Sequence, residues 1–237
     1  MNIPEFSDAF IKLDRARKHI ADVDTEIRSF LSADFYRVRI EPDERKSIVK
    51  IFFDTLHQPD KAFNTLVGDA IGNLRSVLDY AAVALTYPHT GQSDGVGFPF
   101  ADDASGFAGQ VRSVRCLGTC DVTIQSIFID EVQAYEGGNG HAFWVLNKLR
   151  NIDKHRLLLT TVHMAGITAS FHDTSGNLWS NFSVNTVAGQ SCGYLVAPFG
   201  QVQFTDDPYP TFEVALREPP FVDEAPVMAF LQRSEER

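Results

Sequence analysis

The stretch "LNKLRNIDKHRLLLTTVHMAGITASFHD", residues 146–173, changes its period part-way along. Up to Leu159, apolar residues recur at three- and four-residue steps: Leu146, Leu149 and Ile152 continue a stripe begun by Ala142 and Val145. That spacing puts them on one side of an α-helix, predicted over 141–159. From Thr161 the texture turns to short β-like runs: "VHMAGITASFHD", "LWSNFSVNT", "GYLVAPF", "VQFTD" and "TFEVALRE", with a turn at "TSGN". Runs of that length, punctuated by turn residues, read as a small antiparallel sheet. Helices first and strands last make an α+β chain, with residues 1–160 as a helical part and 161–237 as a β-rich part packed on it.

Upstream, residues 4–32 carry Phe6, Phe10, Leu13, Ala16, Ile20, Val23, Ile27 and Leu31 at helical steps, with charged residues between them. In "FYRVRIEPDERKSIVKIFF", Tyr36, Val38 and Ile40 alternate with arginines, and apolar residues resume at Ile48 after a Pro-Asp-Glu turn. That is the pattern of a β-hairpin, expected at 35–54 and inserted into the helical part. Pro59 suits the first turn of a second long helix, running to about Thr86. Shorter helices are expected at 104–114 and 122–135, and "EGGNG" then breaks the chain with Asn139 placed to cap the next helix. A last helix is expected to begin within "APVMAFLQRSEER".

Composition narrows the function classes. Apolar residues make up 44% and charged residues 22%, so a chain of 237 residues can bury a core without disulfides or metal staples. Its apolar runs are far shorter than a membrane span, and "MNIPEFSDAF" lacks the basic and apolar regions of a secretory signal. Three cysteines, Cys116, Cys120 and Cys192, have no pairing pattern, and a reduced cytoplasmic protein is expected. The net charge of −10 weighs against a non-specific nucleic-acid binder. "GDAIG" and "GQSDGVG" lack the spacing and context of phosphate or dinucleotide loops, and no cofactor is expected. His163, His172 and Asp173 are the one metal-like group, out of phase by pleat, and no metal site is expected there.

Polar residues interrupt the two apolar helices in a regular way. On the helix at 59–86, Asp69, Asn73, Ser76 and Tyr80 step along one side, Arg75 and Asp79 form an i, i+4 pair, and Gly68 and Gly72 allow close approach. On the helix at 141–159, Asn147, Asn151 and His155 step by four, with Lys148, Arg150 and Lys154 nearby. Such stripes predict that Asp69, Asn73 and Ser76 face Asn147, Asn151 and Lys154. Asn151, one turn before His155, is placed to orient the imidazole. Arg150 lies about 140° around the helix from His155, so the two meet only through the long arginine side chain, a distortion, or a second copy of the helix. Two readings follow: a hydrogen-bond network that holds helices together, or a catalytic site.

Within this segment "RNIDKH" fits the R-x4–6-H signature, with a polar residue after the arginine, and the chain resembles the HEPN superfamily over roughly residues 1–160. The resemblance implies a helical bundle whose site forms at a homodimer interface and cleaves RNA without metal, as in ribonuclease toxins and anti-phage effectors. On that basis Arg150 and His155 are the catalytic pair, Asn151 is their polar companion, and a cognate inhibitor or antitoxin is a further possible partner. Asp69, Asn73, Arg75, Asp79, Asn147 and Lys154 form the supporting network. His155 would take the ribose 2′-OH proton while Arg150 stabilises the phosphorane. "GDAIGNLRSVLDYAAVAL" paired with "NKLRNIDKHRLL" is also similar to a group of uncharacterised bacterial and phage-associated proteins. The alternative is a binding or scaffold module without catalysis, in which Arg150 or His155 is tied into a buried salt bridge with Asp69, Asp79 or Asp153.

Overall fold

The structure is a computed structural model that describes residues 5–43, 48–113, 115, 117–173, 175–185, 192–198, 202–205 and 209–235. Its long helices are α1 (Phe6–Leu31) and α2 (Lys61–Thr90), linked by the hairpin strands β1 (Tyr36–Asp43) and β2 (Ile48–Thr55). Then come α3 (Ala104–Val111), α4 (Val122–Ile127) with a π-helical turn at Phe128–Val132, and α5 (His141–Asp153). Strands β3 (Thr160–Asp173), β4 (Leu178–Asn185), β5 (Cys192–Pro198), β6 (Val202–Phe204), β7 (Tyr209–Glu218) and β8 (Val222–Pro226) follow, and α6 (Val227–Glu235) comes last. The mixed α+β architecture expected from the periodicities is the one observed.

α1 forms because its apolar residues fall on one face: Ala9, Ala16, Ile20, Val23 and Ile27 are all buried. Each large side chain of that kind contributes about 1.5–3 kcal/mol on burial. This face meets Phe63, Val67, Ala70, Ile71 and Leu74 of α2, and the same core takes in Trp144, Val145, Leu146 and Leu149 of α5. The β-rich part enters it too, through Val214 and Leu216 of β7, Val222 of β8, and Val227 and Leu231 of α6. Helices and strands therefore share one apolar interior. α2 starts at Asp60, whose carboxylate accepts from Phe63 N–H at 2.8 Å, so Asp60 and not Pro59 defines that terminus. It runs through Pro88 to a left-handed Gly91 with φ 64°, a turn longer than expected.

Pairing is antiparallel in every described ladder. The larger sheet has the order β4-β3-β7-β8, with β6 also on β3; the hairpin joins β5 in a separate three-stranded sheet. The two sheets touch through Phe53 and Ile167, with Tyr36, Phe204 and Phe212 around them.

Two expectations are corrected here. Asn139 does not cap α5: the N-cap is Gly140, and the Asn139 amide donates instead to Glu131 O at 3.2 Å. The helix also stops at Asp153 and not at Leu159, because the next segment is drawn onto the sheet. Arg217 N–H donates to Leu159 O at 2.9 Å, and Leu159 N–H donates to the Glu218 carboxylate at 2.6 Å. Three leucines in a row read equally well as helix or as extended chain, and these tertiary bonds select the second.

Candidate functional site

α5 lies antiparallel along α2, and two glycines set the distance between them. A Cβ on Gly68 would overlap the Asp153 carboxylate, and one on Gly72 would sit 3.3 Å from Arg150 Cζ. The absence of side chains there lets Asp153 and Arg150 lie against the α2 backbone. Arg150 Nη1 donates to Asp153 Oδ2 at 2.7 Å, with the arginine side chain 35% exposed and the aspartate 12%. The candidate catalytic arginine is thus paired within its own helix and packed into a groove.

Further along the same contact, Arg75 Nε donates to Asn147 Oδ1 at 2.9 Å, a direct bond between the two helices. Its buried Nη1 lies 2.5 Å from Asp79 Oδ2 but off the N–H axis, so charge and not an aligned hydrogen bond holds that pair. Asp79 Oδ1 accepts from Phe98 N–H at 2.9 Å, and the Arg75 guanidinium lies 4.4 Å from the Phe100 ring centroid. Asp102 in the same loop accepts from Trp144 Nε1 at 2.9 Å and sits 2.7 Å from Lys148 Nζ. Lys148, then Trp144, hold the Asp102 carboxyl below the usual aspartate range. Lys148 is also within 5.1 Å of the Trp144 ring centroid. One loop is thereby clipped to both helices.

The predicted stripe on α2 was displaced by one residue around the helix. Asp69 is exposed, the Asn73 amide donates to Asp69 O at 2.8 Å, and the Ser76 hydroxyl donates to Gly72 O at 2.8 Å. The line that meets α5 is Gly68, Gly72 and Arg75, facing Asp153, Arg150 and Asn147. On α5, Asn151 is exposed and its Oδ1 accepts from Lys154 Nζ at 3.3 Å, so it does not orient His155, and Lys154 does not reach α2 in this arrangement. His155 lies past the helix end, where its backbone N–H donates to Ile152 O at 2.9 Å. The imidazole is exposed and has no hydrogen-bond partner among the described residues.

Beyond His155, Arg156 makes a two-pronged pair with Glu218, at 2.9 and 2.6 Å. The Glu218 side chain is only 2% exposed and also receives Leu159 N–H. Sequence reasoning missed Glu218 and Asp102, whereas Asp153 was among the three aspartates expected to pair with Arg150 or His155 in a structural contact. Asp153 had a signal, its i, i+3 spacing from Arg150. Glu218 and Asp102 had none, because their partners are 62 and 46 positions away or brought in by a loop. His163 is buried, with Nε2 3.9 Å from Glu213 Oε2, while His172 Nδ1 lies 3.4 Å from Gly176 O. Among the described residues no group of three His, Cys, Asp or Glu side chains could hold a metal ion. No helix among them is long and apolar enough to cross a membrane.

No known protein family, curated protein or solved structure matches the chain.

Proposed function

We propose that this chain is a non-catalytic binding module in which the contact between α2 and α5 is structural. The observation that carries this reading is the Arg150–Asp153 pair against Gly68 and Gly72. An arginine that stabilises a phosphorane must offer its charge to the ligand, and here a neighbouring carboxylate already compensates it. Two other cations of the segment are likewise paired, Lys148 with Asp102 and Arg156 with Glu218, while Lys154 is exposed and meets only the Asn151 amide. The net charge of −10 weighs the same way, against non-specific phosphate binding.

The HEPN ribonuclease is the second reading, favoured by His155, whose exposed imidazole is free to act as a general base. It requires a symmetric dimer in which a second copy brings another arginine to the histidine, and it predicts 2′,3′-cyclic phosphate products from RNA. An antitoxin or inhibitor would then be a partner, and the cytoplasm the place of action.

Two variants separate the readings. On the binding-module reading Arg150→Ala leaves Asp153 without its partner in a groove and lowers stability by about 1–3 kcal/mol, while wild-type protein leaves single-stranded RNA intact in EDTA. Cleavage that is abolished by His155→Ala without a change in melting temperature refutes the module and supports the ribonuclease.

A further inference from the structure

At the end of α5 remote from Arg150, a cleft of about 470 Å³ opens between the start of α5, β8 and α6. Its floor is apolar, with Val145, Phe221 and Phe230, and its rim carries His141, Asp223 and Arg233. The volume lies within the range of small-molecule sites, and a few polar groups stand among apolar side chains in the lining.

The rim charges are uncommitted. Asp223 and Arg233 line the same cleft, yet no ion pair within 4.0 Å joins them, and neither forms one elsewhere among the described residues. Arg233 uses its Nε, which donates to Ala229 O at 3.2 Å. Asp223 stands opposite Arg217 in the β7–β8 ladder without an ion pair between them. His141 is fixed in place: Gly137 N–H donates to its Nδ1 at 3.2 Å, and its ring stacks on Trp144 with centroids 5.3 Å apart. With Nδ1 accepting, the neutral imidazole carries its proton on Nε2 and has a donor to offer.

Ligand chemistry follows from this pattern. Asp223 and Arg233 line one cleft, and a sphere of its volume is about 10 Å across, so a single small ligand can meet both groups. A purely anionic ligand would be opposed by Asp223 and a purely cationic one by Arg233. A neutral apolar ligand would cover the floor and strip water from both charges without replacing it. A molecule with both charges side by side and an apolar body satisfies all three surfaces. We propose that this cleft binds a free amino acid with an apolar side chain: the carboxylate towards Arg233 and His141, the ammonium towards Asp223, and the side chain on Val145 and Phe230. The proposal deepens the binding-module reading by naming a ligand class, and rests on it in that sense.

The test is titration calorimetry of the full chain with leucine and phenylalanine, each compared with its N-acetyl and carboxamide forms. Binding of at least one free amino acid is expected, weakened at least about tenfold on blocking either charge. Arg233→Met and Asp223→Asn should each weaken binding by a similar factor with the melting temperature unchanged, since both side chains are exposed. No binding of either amino acid at about 10 mM overturns the proposal. So does equal binding of the blocked forms, or unchanged affinity in both variants, which would place the ligand elsewhere. A failure of the binding-module reading registers separately, as RNA cleavage by the wild-type chain.

Discussion

Gly68→Ala is the sharpest probe of the frame. Alanine in a helix interior is favoured over glycine by about 1 kcal/mol, so on propensity alone the change stabilises α2. The new Cβ, however, overlaps the Asp153 carboxylate, which must rotate away and release Arg150. A charge-assisted hydrogen bond is worth about 1.5–3 kcal/mol. With Arg150 35% exposed, solvent screening reduces this pair to about 1–2 kcal/mol. The two effects leave Gly68→Ala neutral to about 1 kcal/mol destabilising. In an Asp153→Ala background no carboxylate remains to displace, and the same change should stabilise by about 1 kcal/mol. A double-mutant cycle by urea denaturation reads the difference, a coupling of about 1–2 kcal/mol. In a chain of this size that is about 2–8 °C in melting temperature. Gly72→Ala is the internal control: its Cβ meets the flexible end of Arg150 at 3.3 Å, so it should stabilise in either background. If Gly68→Ala stabilises wild type and the Asp153 variant equally, the packing argument is wrong.

Two further outcomes follow from the clips. Glu218→Gln keeps the size of a side chain that is 2% exposed but gives up the two-pronged pair with Arg156. Because Arg156 is about half exposed, a loss of about 1–3 kcal/mol is expected, with faster hydrogen exchange at Leu159 N–H; unchanged exchange there would refute the anchoring role. The Asp102 carboxyl, lowered by Lys148 and Trp144, should titrate below the ordinary aspartate value of 3.8 in carbon-13 NMR, and Lys148→Ala should move its midpoint up. A depressed acid contributes stability that is present above its unfolded pKa and lost as pH falls through the folded one, so that contribution fades only below about pH 4. An Asp102 midpoint indifferent to Lys148→Ala would contradict the assignment.

Among the candidate residues, what was legible is what one helix decides by itself. Arg75 and Asp79 pair at i, i+4 as expected, and Arg75 reaches Asn147 across the contact between helices. The stripe of Asp69, Asn73 and Ser76 misled because two of its three members satisfy themselves on their own helix. Small polar side chains can bond to the preceding turn, and a helical wheel does not distinguish that from reaching a neighbour. Glycine, with no side chain to count, was the better marker of where α5 lies.

Periodicity over short windows was enough for the α+β class, for α1 and α2 to within a few residues, for the start of α5, for the hairpin, and for the change to strands near residue 160. Those features rest on local periodicity, which a short window contains in full. The folded chain was needed to decide that α5 ends at Asp153, that the hairpin pairs with β5, and which of Asp69, Asp79 and Asp153 Arg150 meets. It also decided that Glu218 anchors the segment beyond His155. Each of these depends on a partner brought close by the rest of the chain, and the energy that selects it is not present in any window of sequence that holds the residue alone.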